Sequence, residues 1–283
     1  MLWIIKFGIA TIVAIAALKL AAIHDVHIVT TTDSQNYAVA AEYLNRSTHN
    51  TVLVGSSLTF RLSAHYFQSS NVENLSLTGG APATGMAIIA GAPTPKLVIV
   101  EMNILNRRLD ESFIARLDDR APSVFRPVRS AAARYETLMH PPVKKRQISS
   151  QVARLIAEPP SDAINPDLVQ LALNQAVDPP PRDAVLRGLS DIRKYKALLE
   201  SRGVKVLLFH MPYSPRYEVT PYAVFSTELA SEAFPNDNSW LRINVDRSQL
   251  RWTDGVHVDD RSAAIIAREI EQEVGNLTAG GGL

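Results

Sequence analysis

The chain contains no cysteine. Disulfides, thiolate nucleophiles and Cys-based zinc or iron–sulfur sites are therefore excluded. It also lacks an excess of charge of either sign: 29 Lys and Arg stand against 28 Asp and Glu, a formal net charge of +1. That removes the electrostatic case for nucleic acid, which calls for a strongly basic domain. Histidine is sparse, with seven in 283 residues. His24, His27, His49, His65, His140 and His210 show no metal-ligand spacing, and His210, after the apolar run "VLLF", reads as structural. No internal repeat is evident. These absences predict chemistry carried by ordinary side chains, with no cofactor and no metal.

What is present is a chain 46% hydrophobic and 20% charged. That suits one large domain, or a domain with a sizeable insertion. The longest apolar run comes first: "MLWIIKFGIATIVAIAALKLAAI", residues 1–23, broken by Lys6 and Lys19 alone. About 20 helical residues cross a hydrocarbon core of about 30 Å, so this run is long enough to span. Lys6 would stay on the cytoplasmic side, and Lys19 would snorkel to the opposite interface. The run reads as an uncleaved transmembrane anchor or as a signal segment. Ala16, Ala17, Ala21 and Ala22 leave room for cleavage, although no clean small-x-small site is present. Either reading places the residues after about 25 outside the cytoplasmic membrane.

Residues 24–36 are polar and β-branched and read as a linker, followed by a first helix in "YAVAAEYLNRS", up to about residue 45. The main domain is expected over 46–275. Short apolar runs predict strands at Thr51–Val54, in "NVENLSLTGG" (71–80), in "KLVIVEMNIL" (96–105) and in "GVKVLLFHMP" (203–212). Before the last of these, Val185, Leu189, Ile192, Tyr195 and Leu199 repeat near 3.6 residues and predict a helix. "DDRSAAIIAREIEQEV" (259–274) predicts a final helix, with a disordered tail over 276–283. Strands alternating with helices predict an α/β fold, a doubly wound parallel sheet flanked by helices. Residues 107–182, rich in Arg and Pro, break that rhythm and read as a mainly helical insertion. Their basic cluster (Arg126, Arg129, Arg134, Lys144, Lys145 and Arg146) is either a solvated face or a surface for anionic headgroups or an acidic glycan.

Four short segments stand out. Gly55-Ser56-Ser57 follows the first strand, "NLSLTGG" follows the second, Asn103 ends the third, and "TDGVHVDD" precedes the final helix. Carboxyl ends of parallel strands are where α/β folds gather their chemistry. In this order and context the segments resemble the four blocks of the SGNH/GDSL hydrolase superfamily, over most of 50–274. "GSSLT" is similar to the first block, with Ser57 as nucleophile and Ser56 where Asp is usual. "NLSLTG" is similar to the second, which implies that the Gly79 N–H, or failing it that of Gly80, serves the oxyanion. "VEMNIL" keeps Asn103 for the third block but lacks its glycine and second acidic residue; Asn106 is the substitute. "DGVH" fits the last block, with Asp254 and His257.

The chemistry is consistent with those roles. A serine hydroxyl is a weak nucleophile until a base takes its proton. An imidazole with a pKa of roughly 6.5 is such a base near neutral pH. A carboxylate on its second nitrogen fixes the tautomer, and the oxyanion needs preorganised donors. The resemblance implies a flavodoxin-like, three-layer SGNH domain that transfers acyl groups through an acyl-serine. With an N-terminal anchor, it is similar to membrane-tethered bacterial members that decorate extracellular polymers. The expectation is an O-acyltransferase or deacetylase at the bacterial inner membrane, facing the periplasm or cell exterior. It would act on a cell-envelope or exopolysaccharide glycan, and a polytopic membrane acyltransferase would be its partner. The alternatives are a lipid or small-ester hydrolase with the same triad, and a catalytically silent scaffold or glycan-binding subunit.

Overall fold

The computed structural model describes residues 31–45, 50–69, 71–118 and 145–279. The anchor or signal segment over 1–23 lies outside them, as do most of the basic cluster and the last four residues. Among the described residues no helix is long and apolar enough to cross a membrane.

Four short strands form the sheet; three are buried because their sequences are apolar at nearly every position, and the second, "VEN" at the sheet edge, is half-buried. They are β1 (Thr51–Val54), β2 (Val72–Asn74), β3 (Leu97–Glu101) and β4 (Lys205–Phe209). All pair in parallel, in the order β2-β1-β3-β4, with Val54 opposite Val100 and Glu101 opposite Phe209. A single parallel bridge from Leu208 to Trp240, with the Leu241 N–H donating to the Leu208 carbonyl, extends the sheet past β4.

Continuous apolar strands are what a parallel sheet covered on both faces requires. Alternate residues divide accordingly. Val52, Val54, Val98, Val100, Val206 and Leu208 share one core with helices α1 (Thr32–Asn45), α3 (Pro82–Ala90), α7 (Arg182–Ser201) and α9 (Pro221–Ala233). Leu53, Ile99, Leu207 and Phe209 share the other with the four-residue helix α2 (Ser57–Phe60) and with α10 (Asp260–Ala279). The helical period read over 185–199 is the buried stripe of α7: Val185, Leu189, Ile192 and Leu199 are all buried.

Two boundaries differ from the sequence reading. The first helix begins at Thr32, so residues 32–36 are not linker. The signal was a capping arrangement: the Ser34 N–H donates to Thr31 Oγ1 and the Thr31 N–H to Ser34 Oγ. The final helix continues to Ala279, so 276–279 are helical rather than a disordered tail. Within the expected insertion the described parts are helices α4 (Glu111–Asp118), α5 (Lys145–Ala157) and α6 (Pro166–Gln175). Helix α8 (Pro215–Glu218) follows β4.

Candidate active site

At the end of β1 the backbone turns sharply. Ser56 caps α2, its Oγ accepting from the Leu58 N–H at 3.2 Å, and Ser57 is the first residue of that helix. The turn is built tightly against β3. A Cβ on Gly55 would lie 2.6 Å from Glu101 Oε2 and 2.7 Å from Thr59 Cβ. Both neighbours are buried and tied to one another, so neither can retreat. Gly55→Ala is expected to destabilise the fold by about 1–3 kcal/mol through overpacking, measured as a lower urea midpoint with an unchanged slope.

The last loop brings the imidazole of His257 to Ser57. Asp254 shapes it: Oδ1 accepts from the Val256 and His257 N–H groups at 3.0 and 2.7 Å, around Gly255 at φ +86°. Its other oxygen, Oδ2, lies 2.7 Å from His257 Nδ1, and His257 Nε2 lies 2.9 Å from Ser57 Oγ. One carboxylate therefore folds the turn and orients the ring. With Nδ1–H donating to Asp254, Nε2 is left as the acceptor facing the serine hydroxyl. Partial burial raises the Asp254 carboxyl pKa, but the bonds from the His257 ring and from the two backbone amides outweigh it and bring the value down to about 2. The carboxylate is thus ionised at any ordinary pH. The side chains of His257 and Asp254 remain 25% and 26% exposed, so the pair faces solvent. The loop is held from behind: Asn165, the cap of α6, donates its N–H to the Thr253 carbonyl at 3.0 Å, and Ser214 Oγ donates to the Gly255 carbonyl at 2.5 Å.

Donors for an oxyanion can be found by asking which amides are left over. In the turn 56–60 the Ser56 and Thr59 N–H groups go to Glu101, that of Leu58 goes to Ser56 Oγ, and that of Phe60 goes to the Ser56 carbonyl. Among the described residues only the Ser57 N–H of that run has no acceptor. Among the described residues the Gly79 N–H has none either. Gly79 sits at φ +75°, a conformation that favours glycine. The Gly80 N–H is taken by the Leu77 carbonyl at 2.9 Å. This loop is clamped by a residue the sequence reading assigned to a linker. Asn36 on α1 accepts from the Thr78 N–H and donates to the Thr78 carbonyl, both at 2.9 Å. Arg107 adds a bond to the Gly80 carbonyl.

Asn103 is placed differently from Ser57 and Gly79. It is buried, and its amide stitches β3 to the chain after β4: Nδ2 donates to the Met211 carbonyl at 2.8 Å and Oδ1 accepts the Met211 N–H at 2.7 Å. One Nδ2 hydrogen is all it has left to offer. Asn106 accepts from the Tyr222 hydroxyl at 2.9 Å, which leaves its amide donors without an acceptor among the described residues. His210 takes no part in the Ser57–His257–Asp254 chain. It stacks on Trp240 with centroids 4.9 Å apart, and burial pushes its pKa down to about 4.

Glu101 is the residue that sequence reasoning missed. It ends β3 fully buried and binds Ser56 and Thr59 on either side of Ser57. Its only signal was an acidic residue closing an otherwise apolar strand. Among the described residues no group of three or more His, Asp or Glu side chains is placed to hold a metal ion. Two clefts, of about 560 and about 790 Å³, have neither Ser57 nor His257 in their walls. In comparisons with known proteins, no protein-family model and no curated protein matches this chain.

Proposed function

We propose that the protein is a serine-dependent O-acyltransferase or deacetylase that works on a glycan outside the cytoplasmic membrane, as a divergent SGNH-type domain. The observation that carries this reading is the continuous chain Ser57 Oγ–His257 Nε2 (2.9 Å) and His257 Nδ1–Asp254 Oδ2 (2.7 Å). Strand order supports the fold part of it. Adding the Leu208–Trp240 bridge to β2-β1-β3-β4 gives the flavodoxin-like order 2-1-3-4-5, whose switch point lies between β1 and β3.

The first step would be attack of Ser57 Oγ on the acyl carbonyl as His257 Nε2 takes the hydroxyl proton. The negative carbonyl oxygen meets the unpaired N–H groups of Ser57 and Gly79. The imidazolium, stabilised by Asp254, returns its proton to the departing oxygen and leaves an acyl-serine. In the second step His257 deprotonates either water or a sugar hydroxyl, which releases an acid or an O-acylated glycan.

The part-exposed position of the pair suits a bulky, polymeric acceptor better than a small ester that needs enclosure. An N-terminal anchor over 1–23 would hold the domain at the membrane, where a polytopic acyltransferase would supply the acyl group. A fluorophosphonate probe tests the nucleophile, with labelling at Ser57 expected. Incubating p-nitrophenyl acetate with oligosaccharides then separates transfer from hydrolysis. Acetylated sugar supports transfer, and acetate alone supports the esterase alternative. No labelling and no turnover would leave only the silent scaffold.

A further inference from the structure

We propose that Glu101 is a positioning residue for the Ser57 nucleophile, and that its carboxylate decides which backbone amide is left to serve the oxyanion. This rests on the reading of Ser57 as nucleophile.

A buried carboxylate is tolerated only when its oxygens are matched by donors. Glu101 is fully buried at the end of β3, beside β1, and so are Ser56 and Thr59. Four donors converge on it: the Ser56 N–H at 2.9 Å, Ser56 Oγ at 2.7 Å, the Thr59 N–H at 3.1 Å and Thr59 Oγ1 at 2.7 Å. Three of them, the Ser56 N–H and both Thr59 groups, bond to Oε2, and the Ser56 hydroxyl alone reaches Oε1; a carboxylate, which accepts and does not donate, meets all four. The donors come from the residue before Ser57 and the residue two after it, while Ser57 itself is skipped. The amides of 56 and 59 are thereby taken out of competition. The Ser57 N–H is left unpaired on the same residue whose Oγ meets His257 Nε2. Strand β3 thus carries the template on which the turn after β1 is shaped. The contact at Gly55 fits the same account, since any side chain there would push into the Glu101 carboxylate.

Methionine keeps the length of the side chain but offers no oxygen to any of the four donors. The Ser56 and Thr59 amides are then released and the turn loses its template. Glu101→Met in the full-length protein is expected to lower both the fluorophosphonate labelling rate and kcat for p-nitrophenyl acetate at least about 100-fold, the effect of losing an oxyanion donor. KM should stay within about threefold, because Glu101 touches no substrate. The pH midpoint of the rate should stay that of wild type, because the His257–Asp254 pair is untouched. Measurements are made well below the variant's melting temperature, so loss of folded protein cannot imitate the result. A folded Glu101→Met that labels within about threefold of wild type overturns the proposal. Should Glu101→Met fail to fold, Thr59→Val removes one of the four donors while keeping the side-chain volume. A labelling rate about tenfold lower, at wild-type melting temperature, supports the proposal; an unchanged rate overturns it. Wild-type protein that resists the probe refutes the nucleophile reading, and this proposal with it, and is distinguished by that control alone.

Discussion

Ser57→Ala is expected to lower acyl turnover by at least about 10⁴-fold and to abolish fluorophosphonate labelling, while the protein stays folded. On the proposed function, the rate effect follows from removing the atom that would form the acyl intermediate; what would survive is transition-state binding without that nucleophile. The small structural effect follows from the surroundings. Ser57 is half-buried, and its hydroxyl bonds only to His257 among the described residues. Loss of one part-exposed hydrogen bond costs at most about 1 kcal/mol. Labelling followed by peptide mapping, beside a thermal melt, reads both. A variant that is still labelled would move the nucleophile elsewhere, and Ser56 is the neighbouring hydroxyl to examine.

Asp254→Asn is expected to cost about 10²–10⁴ in kcat with the loop intact. The Asn carbonyl oxygen can still accept the Val256 and His257 N–H groups that Asp254 Oδ1 holds. Its NH2 would then face His257 Nδ1 and force that nitrogen to accept. The proton moves to Nε2, which points at Ser57 and no longer takes its proton. Asp254 also gives a signature in stability. Its folded pKa is about 2, below the ordinary 3.8, so folding favours the ionised form. That contribution is complete above about pH 5 and fades as pH falls through 3.8 towards 2. Because the side chain is partly exposed, the contribution is reduced by solvent screening. Urea midpoints at about pH 6, 4 and 2.5 should therefore fall more steeply for wild type than for Asp254→Asn, whose amide does not titrate. Parallel curves would show that the carboxylate gains nothing from its partners on folding.

How much of this was legible depended on whether the signal was local. The strands were, because "TVLV", "LVIVE" and "KVLLF" are apolar on both faces and a fully covered parallel sheet demands that. The long helix over 182–201 announced itself by its period. The Ser57, Asp254 and His257 positions were readable because a strand end or a tight turn fixes each one nearby. What was hidden came from partners distant in sequence. Asn36 looked like linker because its role is to hold Thr78, in a loop 42 positions further along the chain. Glu101 looked like the end of a strand, because nothing in "IVEMN" says that two hydroxyls and two amides converge on it. Asn103 carries the right amide, but its bonds to the Met211 backbone depend on how β4 ends, and the third-block resemblance is silent on that. The α3 helix was missed too: its core-facing Met86 and Ile89 sit among alanines and glycine, which blur any period.

The two partners of the central hydrogen bond are 200 positions apart in the chain. During synthesis the serine leaves the ribosome long before the imidazole exists, and domains fold as their sequence becomes available. A polypeptide interrupted anywhere before the closing turn would carry a hydroxyl with nothing to activate it. On the proposed function, copies that stop short of residue 257 would be inert, and activity would certify that translation had passed the closing turn.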